Sequence, residues 1–182
     1  GQDYLYRGPG FEEEYGRRPW QQLGTSEIGF LEVYSVTPHP PEPDRVMVRE
    51  ALSFALKHAQ DPGQWVLDGY HTGAEGYKVW ANALRSGQAL RFGQSYNAEV
   101  WAECRRVAED FLVEAKERLP GMADDAFDRA ADAYGEVART LTDLAQLIPF
   151  SHEVGEEETL QSEEGAQLVD HAGAAEVRGL EA

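Results

Sequence analysis

The chain is poor in cysteine, in basic residues and in long apolar runs, and each shortage narrows what it can be. One residue of 182, Cys104, is cysteine, so no disulfide can form within the chain. No apolar run approaches the roughly 20 residues of a membrane-spanning helix. No signal peptide is recognisable, and the cytoplasm is the compartment to expect. Lys and Arg number 16 against 33 Asp and Glu, a net charge of −17. Such a surface repels phosphates and anionic headgroups, so neither nucleic acid nor membrane is an expected partner. Chemical motifs are scarce too. Gly8-Pro9-Gly10 and Gly73-Ala74-Glu75-Gly76 lack the spacing and the Lys of a phosphate loop, and there is no Gly-x-Ser-x-Gly. The five histidines, His39, His58, His71, His152 and His171, form no i, i+3 or i, i+4 pair on a helix, so no metal site and no cofactor is expected.

Helical periodicity is abundant by contrast. The strongest pattern runs from Ser95 to Phe150 and reads as two long antiparallel helices joined at Pro120-Gly121. Ser95 is the expected cap of the first. Its expected buried stripe is Ala98, Trp101, Ala102, Cys104 or Arg105, Ala108, Phe111, Leu112, Ala115 and Leu119. The second repeats Phe127, Ala130, Tyr134, Val137, Leu141, Leu144 and Ile148 at near-heptad spacing. Two shorter helices precede the pair. Asp44 is the expected cap of one, which carries Val48, Ala51, Leu52, Ala55, Leu56 and Ala59 and ends near Asp61-Pro62-Gly63. The other spans about Ala74 to Arg85, with Tyr77, Trp80, Ala81 and Leu84 on one face.

Strand signals are confined to the N-terminal end. Asp3 to Arg7 alternates Tyr4 and Tyr6 against Leu5, and Gly8-Pro9-Gly10 breaks it. Residues 11–23 read as irregular, with one helical turn at Pro19 to Leu23. Glu27 to Val36 is the clearer strand. The expected fold is therefore mainly α (α+β): an antiparallel bundle of four to five helices preceded by a two-stranded β remnant. The organisation reads as a strand segment over 1–37, a proline-rich linker over 38–43 and a helical bundle over 44–150. An acidic tail follows over 151–182, holding nine acids against Arg178 alone, with a short helix from Gln167 to Leu180. Most such tails are solvated.

One cluster combines aromatic and polar groups: Tyr70, His71, Tyr77, Trp80, Tyr96, Asn97 and Trp101. If the helices near Ala74 and Ser95 pack side by side, these residues line a binding pocket, although large aromatics at helical spacing are usually plain core. Cys104, inside a helix and without a nearby histidine, reads as a small hydrophobe and not as a nucleophile, so no catalytic residue is expected in the chain.

The segments DYLYRGPGF and GRRPWQQLGTSEIGFLEVYSV resemble the closing strands of a papain-like cysteine peptidase, of the bacteriocin-leader-peptidase-like and butirosin-acyltransferase-like families. Tyr4 to Gly10 resembles the late strand and its Pro-Gly turn, and Ile28 to Val36 the closing strand. REALSFAL, GYKVWANAL and YNAEVWAECRRVAEDFLVEAKERL resemble a helical extension carried by uncharacterised bacterial members. The resemblance implies that the nucleophilic Cys and its His lie upstream of Gly1, with Asp3 the only nearby residue for the third triad position. The chain would then be a non-catalytic accessory region shaping substrate access. The residues themselves leave open a second expectation, a stand-alone helical module without enzymatic activity that binds a small molecule, a peptide or a protein partner.

Overall fold

A computed structural model describes residues 3–6, 16–22, 34–38, 40–150 and 158–182. The chain divides into two compact units, Gly1–Pro41 and Glu42–Ala182.

In the first unit, β1 (Asp3–Tyr6) pairs antiparallel with β2 (Gly16–Pro19), Asp3 opposite Pro19 and Leu5 opposite Arg17. A turn of 3-10 helix follows at Trp20–Gln22. The partner of β1 is thus a Gly-Arg-Arg-Pro segment that reads as irregular in sequence, because backbone pairing at an edge tolerates side chains with no alternating pattern. Of the expected strand over 27–36, residues 27–33 lie outside the described residues, and Tyr34–Val36 belong to no strand.

Among its described residues the second unit holds five α-helices: α1 (Asp44–Gln60), α2 (Gly73–Ser86), α3 (Arg91–Arg118), α4 (Asp124–Leu147) and α5 (Glu163–Glu181). The mainly α bundle is the observed fold. The starts of α1 and α3 differ from expectation. Pro43 occupies the cap position of α1, and Asp44 is its first helical residue. Helix α3 begins four residues before Ser95, which lies inside it, buried, with its Oγ donating to the Phe92 carbonyl. A Ser within a helix can satisfy its hydroxyl this way without capping anything.

The acidic C-terminal segment differs most from a solvated tail. Its helix begins at Glu163, four residues earlier than the pattern suggests, because Ser162 Oγ accepts from the Gly165 N–H at 2.9 Å. Ala166, Val169, Ala172 and Ala175 are fully buried in the main core with Ala81 and Leu84 of α2 and Val137, Leu141 and Leu144 of α4. Small residues let α5 lie close to α2: a Cβ on Gly173 would stand 2.8 Å from the Cβ of Tyr77. Several charged groups of α5 have partners on its neighbours. Arg85 of α2 reaches Asp170 at 2.5 Å, and Arg178 and His171 of α5 reach Glu136 of α4 at 2.7 and 2.8 Å.

A two-residue ladder holds this arrangement in register. Strand β3 (Ala89–Leu90), between α2 and α3, pairs antiparallel with β4 (Thr159–Leu160) just before α5. Ser162 N–H donates to the Leu84 carbonyl. Gly87, at φ +70, turns the chain out of α2 into β3.

A second, smaller core joins Val48 of α1 to Leu112 and Ala115 of α3 and Phe127, Ala130 and Ala131 of α4. Val48 is the one buried residue of α1. No helix among the described residues is long and apolar enough to cross a membrane.

Candidate functional site

The site grows from the middle of α3. The expected stripe allows Cys104 or Arg105 on the buried side, and the structure selects Arg105. Cys104 is exposed. Arg105 donates from Nε and Nη2 to the two carboxylate oxygens of Glu176 on α5, at 2.5 and 2.6 Å. Tyr77 of α2 donates its hydroxyl to Glu176 Oε2 at 2.9 Å. Three helices therefore meet through one polar knot inside the bundle. Its charge is balanced and its geometry two-pronged, the arrangement that best compensates an ion pair for lost water.

Electrostatics follow from that geometry. Burial, then the charge of Glu176, pushes the Tyr77 phenol well above its ordinary range. The same two causes push Tyr134 of α4 up to about 12. Burial alone would lower the Arg105 pKa, but hydrogen bonds to Glu176 and its charge raise it, so the guanidinium stays ionised.

Outside the knot lies a cleft of about 160 Å³ lined by His71, Tyr77, Trp80, Asn97, Trp101 and Arg105, with Thr72, Gly73 and Gly76 at the start of α2. Five of the seven residues expected to line a pocket, His71, Tyr77, Trp80, Asn97 and Trp101, come together here. Tyr70 and Tyr96 do not. Tyr70 is largely exposed, and Tyr96 stacks on Phe92, ring centroids 6.3 Å apart. Tyr96 and Asn97 are neighbours on α3, about 100° apart around the axis, so only one of them can face α2.

Trp80 and Trp101 wall the cleft differently. Tyr77 and Trp80 stack with centroids 6.4 Å apart, and the Trp80 Nε1–H is buried with no hydrogen-bond partner among the described residues. Trp101 is 42% exposed, not core as the stripe predicts, and its ring lies 5.0 Å from the Arg105 guanidinium carbon. A longer groove of about 460 Å³ runs beneath α1, past Phe54, His58, Phe111 and Tyr134 to Glu176. It shares Thr72, Gly73, Trp101 and Arg105 with the cleft. A third depression, about 550 Å³ between α3 and α4, has charges of both signs and no aromatic wall.

Sequence reasoning missed Glu176 and Tyr134 as parts of this site. Glu176 is 71 residues from Arg105, and no local pattern links them. The available signal was an Arg at a stripe position of α3 together with a lone Glu on the Ala-rich face of α5. Of the histidines, His171 pairs with Glu136, His58 lies beside Trp65 at 5.6 Å between ring centroids, and His71 lines the cleft. His39 and His152 lie outside the described residues. Among the described residues, no three His, Cys, Asp or Glu side chains cluster as metal ligands. No protein-family model, curated protein or solved structure matches this chain.

Proposed function

We propose that the helical unit is a non-catalytic binding module whose ligand sits in the cleft between α2 and α3 and extends toward the groove beneath α1. The observation that carries this reading is the cleft walled by Trp80, Trp101 and Arg105, beside which the buried Trp80 Nε1–H has no partner among the described residues. An unsatisfied buried donor costs about 1–3 kcal/mol, which a ligand acceptor would recover. The surroundings set the ligand's chemistry. A flat apolar body fits beside Trp101, and a carbonyl or carboxylate oxygen suits the guanidinium edge of Arg105 that Glu176 leaves unused. The pre-paired Arg105 and Glu176 hold the wall rigid before the ligand arrives.

A screen of small aromatic carboxylates and amides, read by tryptophan fluorescence and thermal shift, tests it. The expected hit raises Tm and loses its effect in Trp101→Ala, whose circular dichroism stays native because Trp101 is half-exposed. A hit equally effective on Trp101→Ala, or no hit at all, overturns the reading.

A second reading makes the module the accessory region of a papain-like cysteine peptidase or acyltransferase. The strand at Asp3–Tyr6, where the resemblance expects one, supports it. Its test is the coding sequence upstream of Gly1: a Cys followed by a His in papain-like order supports it, and their absence removes it.

A further inference from the structure

Helix α3 carries a second apolar face opposite the one it buries. Ser95, Ala98 and Leu112 face the bundle. Phe92, Tyr96, Val100, Cys104, Val107 and Phe111 are exposed, Val107 by 56%. At about 100° per residue these six fall within an arc of roughly 120°, and they run for roughly 28 Å along the axis. From Tyr96 onward the spacing is four, four, three and four residues, that of a helix seam. Phe150 widens the stripe at one end, 5.4 Å from Phe92 between ring centroids. At the other end Phe111 joins it to the groove beneath α1.

One edge of the stripe is acidic. Glu99, Glu103 and Asp110 project along it, and Glu114, on the same side, is already paired with Arg118. Neither Glu99 nor Asp110 has an ion-pair partner among the described residues, and Arg106 reaches Glu103 only at 3.8 Å. The edge continues into the depression between α3 and α4, where Glu109 and Asp143 add to it beside Arg106 and Arg139. A second copy of the chain would bring the same acids and another net charge of −17. An anionic lipid surface would be repelled likewise.

We propose that this face of α3 docks a basic amphipathic helix of another protein, its apolar side on the stripe and its Lys or Arg residues against the acidic edge. The stripe shares no residue with the Trp80 cleft and meets the groove beneath α1 only at Phe111. Helix-in-groove recognition uses this combination of apolar anchors with charged flanks, the anchors giving affinity and the flanks orientation and rate.

The test uses the full chain and a fluorescein-labelled peptide of roughly 18 residues, long enough to span the stripe, with Leu at seam positions and Lys elsewhere. Two controls are its charge-inverted twin, Glu replacing Lys, and a Lys/Ser peptide without Leu. The expected result is anisotropy-detected binding of the Lys/Leu peptide that weakens as salt rises. Neither control binds comparably, and Val100→Asp/Val107→Asp weakens binding at least about tenfold. Because both positions are exposed, the variant keeps native circular dichroism and Tm. Four results overturn the proposal: no binding at about 100 µM peptide, equal binding of either control, equal binding by the double variant, or sedimentation of the chain alone as a dimer that the double variant dissociates.

Discussion

Arg105 and Glu176 share two hydrogen bonds, Nε to Oε2 and Nη2 to Oε1, across 71 residues of chain. Their side chains are only 19% and 10% exposed. Deleting one partner leaves the other charged and poorly hydrated. Glu176→Ala should therefore destabilise the unit by about 3 kcal/mol, and Arg105→Met/Glu176→Leu should regain most of it. Urea unfolding of both variants measures the difference.

Alkaline pH acts on the same knot. The Tyr134 phenol ionises near 10 when unfolded and at about 12 when folded. The folded chain thus keeps a proton that the unfolded chain has lost between those values. Stability is intact below pH 10 and falls as pH climbs from 10 to 12, and Tyr77 acts in the same direction. Urea melts across this window should show that decline, with a shallower slope in Tyr134→Phe.

Gly173 and Gly93 make opposite predictions for the same change. A Cβ at Gly173 meets the Tyr77 Cβ at 2.8 Å, so Gly173→Ala should push α5 from α2 and cost about 1–3 kcal/mol. A Cβ at Gly93 meets nothing within 4 Å on α3. Gly93→Ala should stabilise the chain by up to about 1 kcal/mol. Paired thermal melts separate the two.

Leu144 tests whether α5 belongs to the core. It is fully buried, and its Cδ1 lies 3.3 Å from where a Cβ on Gly165 would stand. Leu144→Ala should cost about 2–5 kcal/mol. If α5 were a solvated appendage, the loss would be far smaller, and amide exchange in α5 would be fast with or without the substitution.

Helices α1 to α4 were legible because each carries enough Val, Leu, Phe and Trp to display a helical period. Every residue of the expected stripe of α4, from Phe127 to Ile148, is buried except Tyr134, which is partly covered, but Ala131, Ala133, Gly135, Ala138 and Thr140 are buried as well, so the covered face is wider than the pattern suggests. On α3, hydrophobicity alone points Trp101 and Phe111 inward and leaves Cys104 or Arg105 open. There the helix has two apolar faces, and the sequence pattern cannot say which one meets the bundle. Helix α5 was under-read for the opposite reason. It buries Ala and Gly, which score weakly as core, and its acids suggested solvent when Arg85 and Arg105 were waiting on neighbouring helices. Five of the seven expected pocket residues reach the cleft because α2 and α3 lie side by side there. The polar knot did not, because its partners meet only through tertiary packing.

The position of α5 bears on how the unit assembles. It is the last of the five helices to leave the ribosome, yet it lines the core between α2 and α4. Until it emerges, Leu84, Val137, Leu141 and Leu144 face an open trough, and the Arg105 guanidinium has no carboxylate. The β3–β4 ladder, which sets where α5 enters, joins residues about 70 apart and so closes late. A nascent chain paused before Glu163 presents the uncovered apolar surface that chaperones hold, and completion of the bundle waits on translation of its final helix.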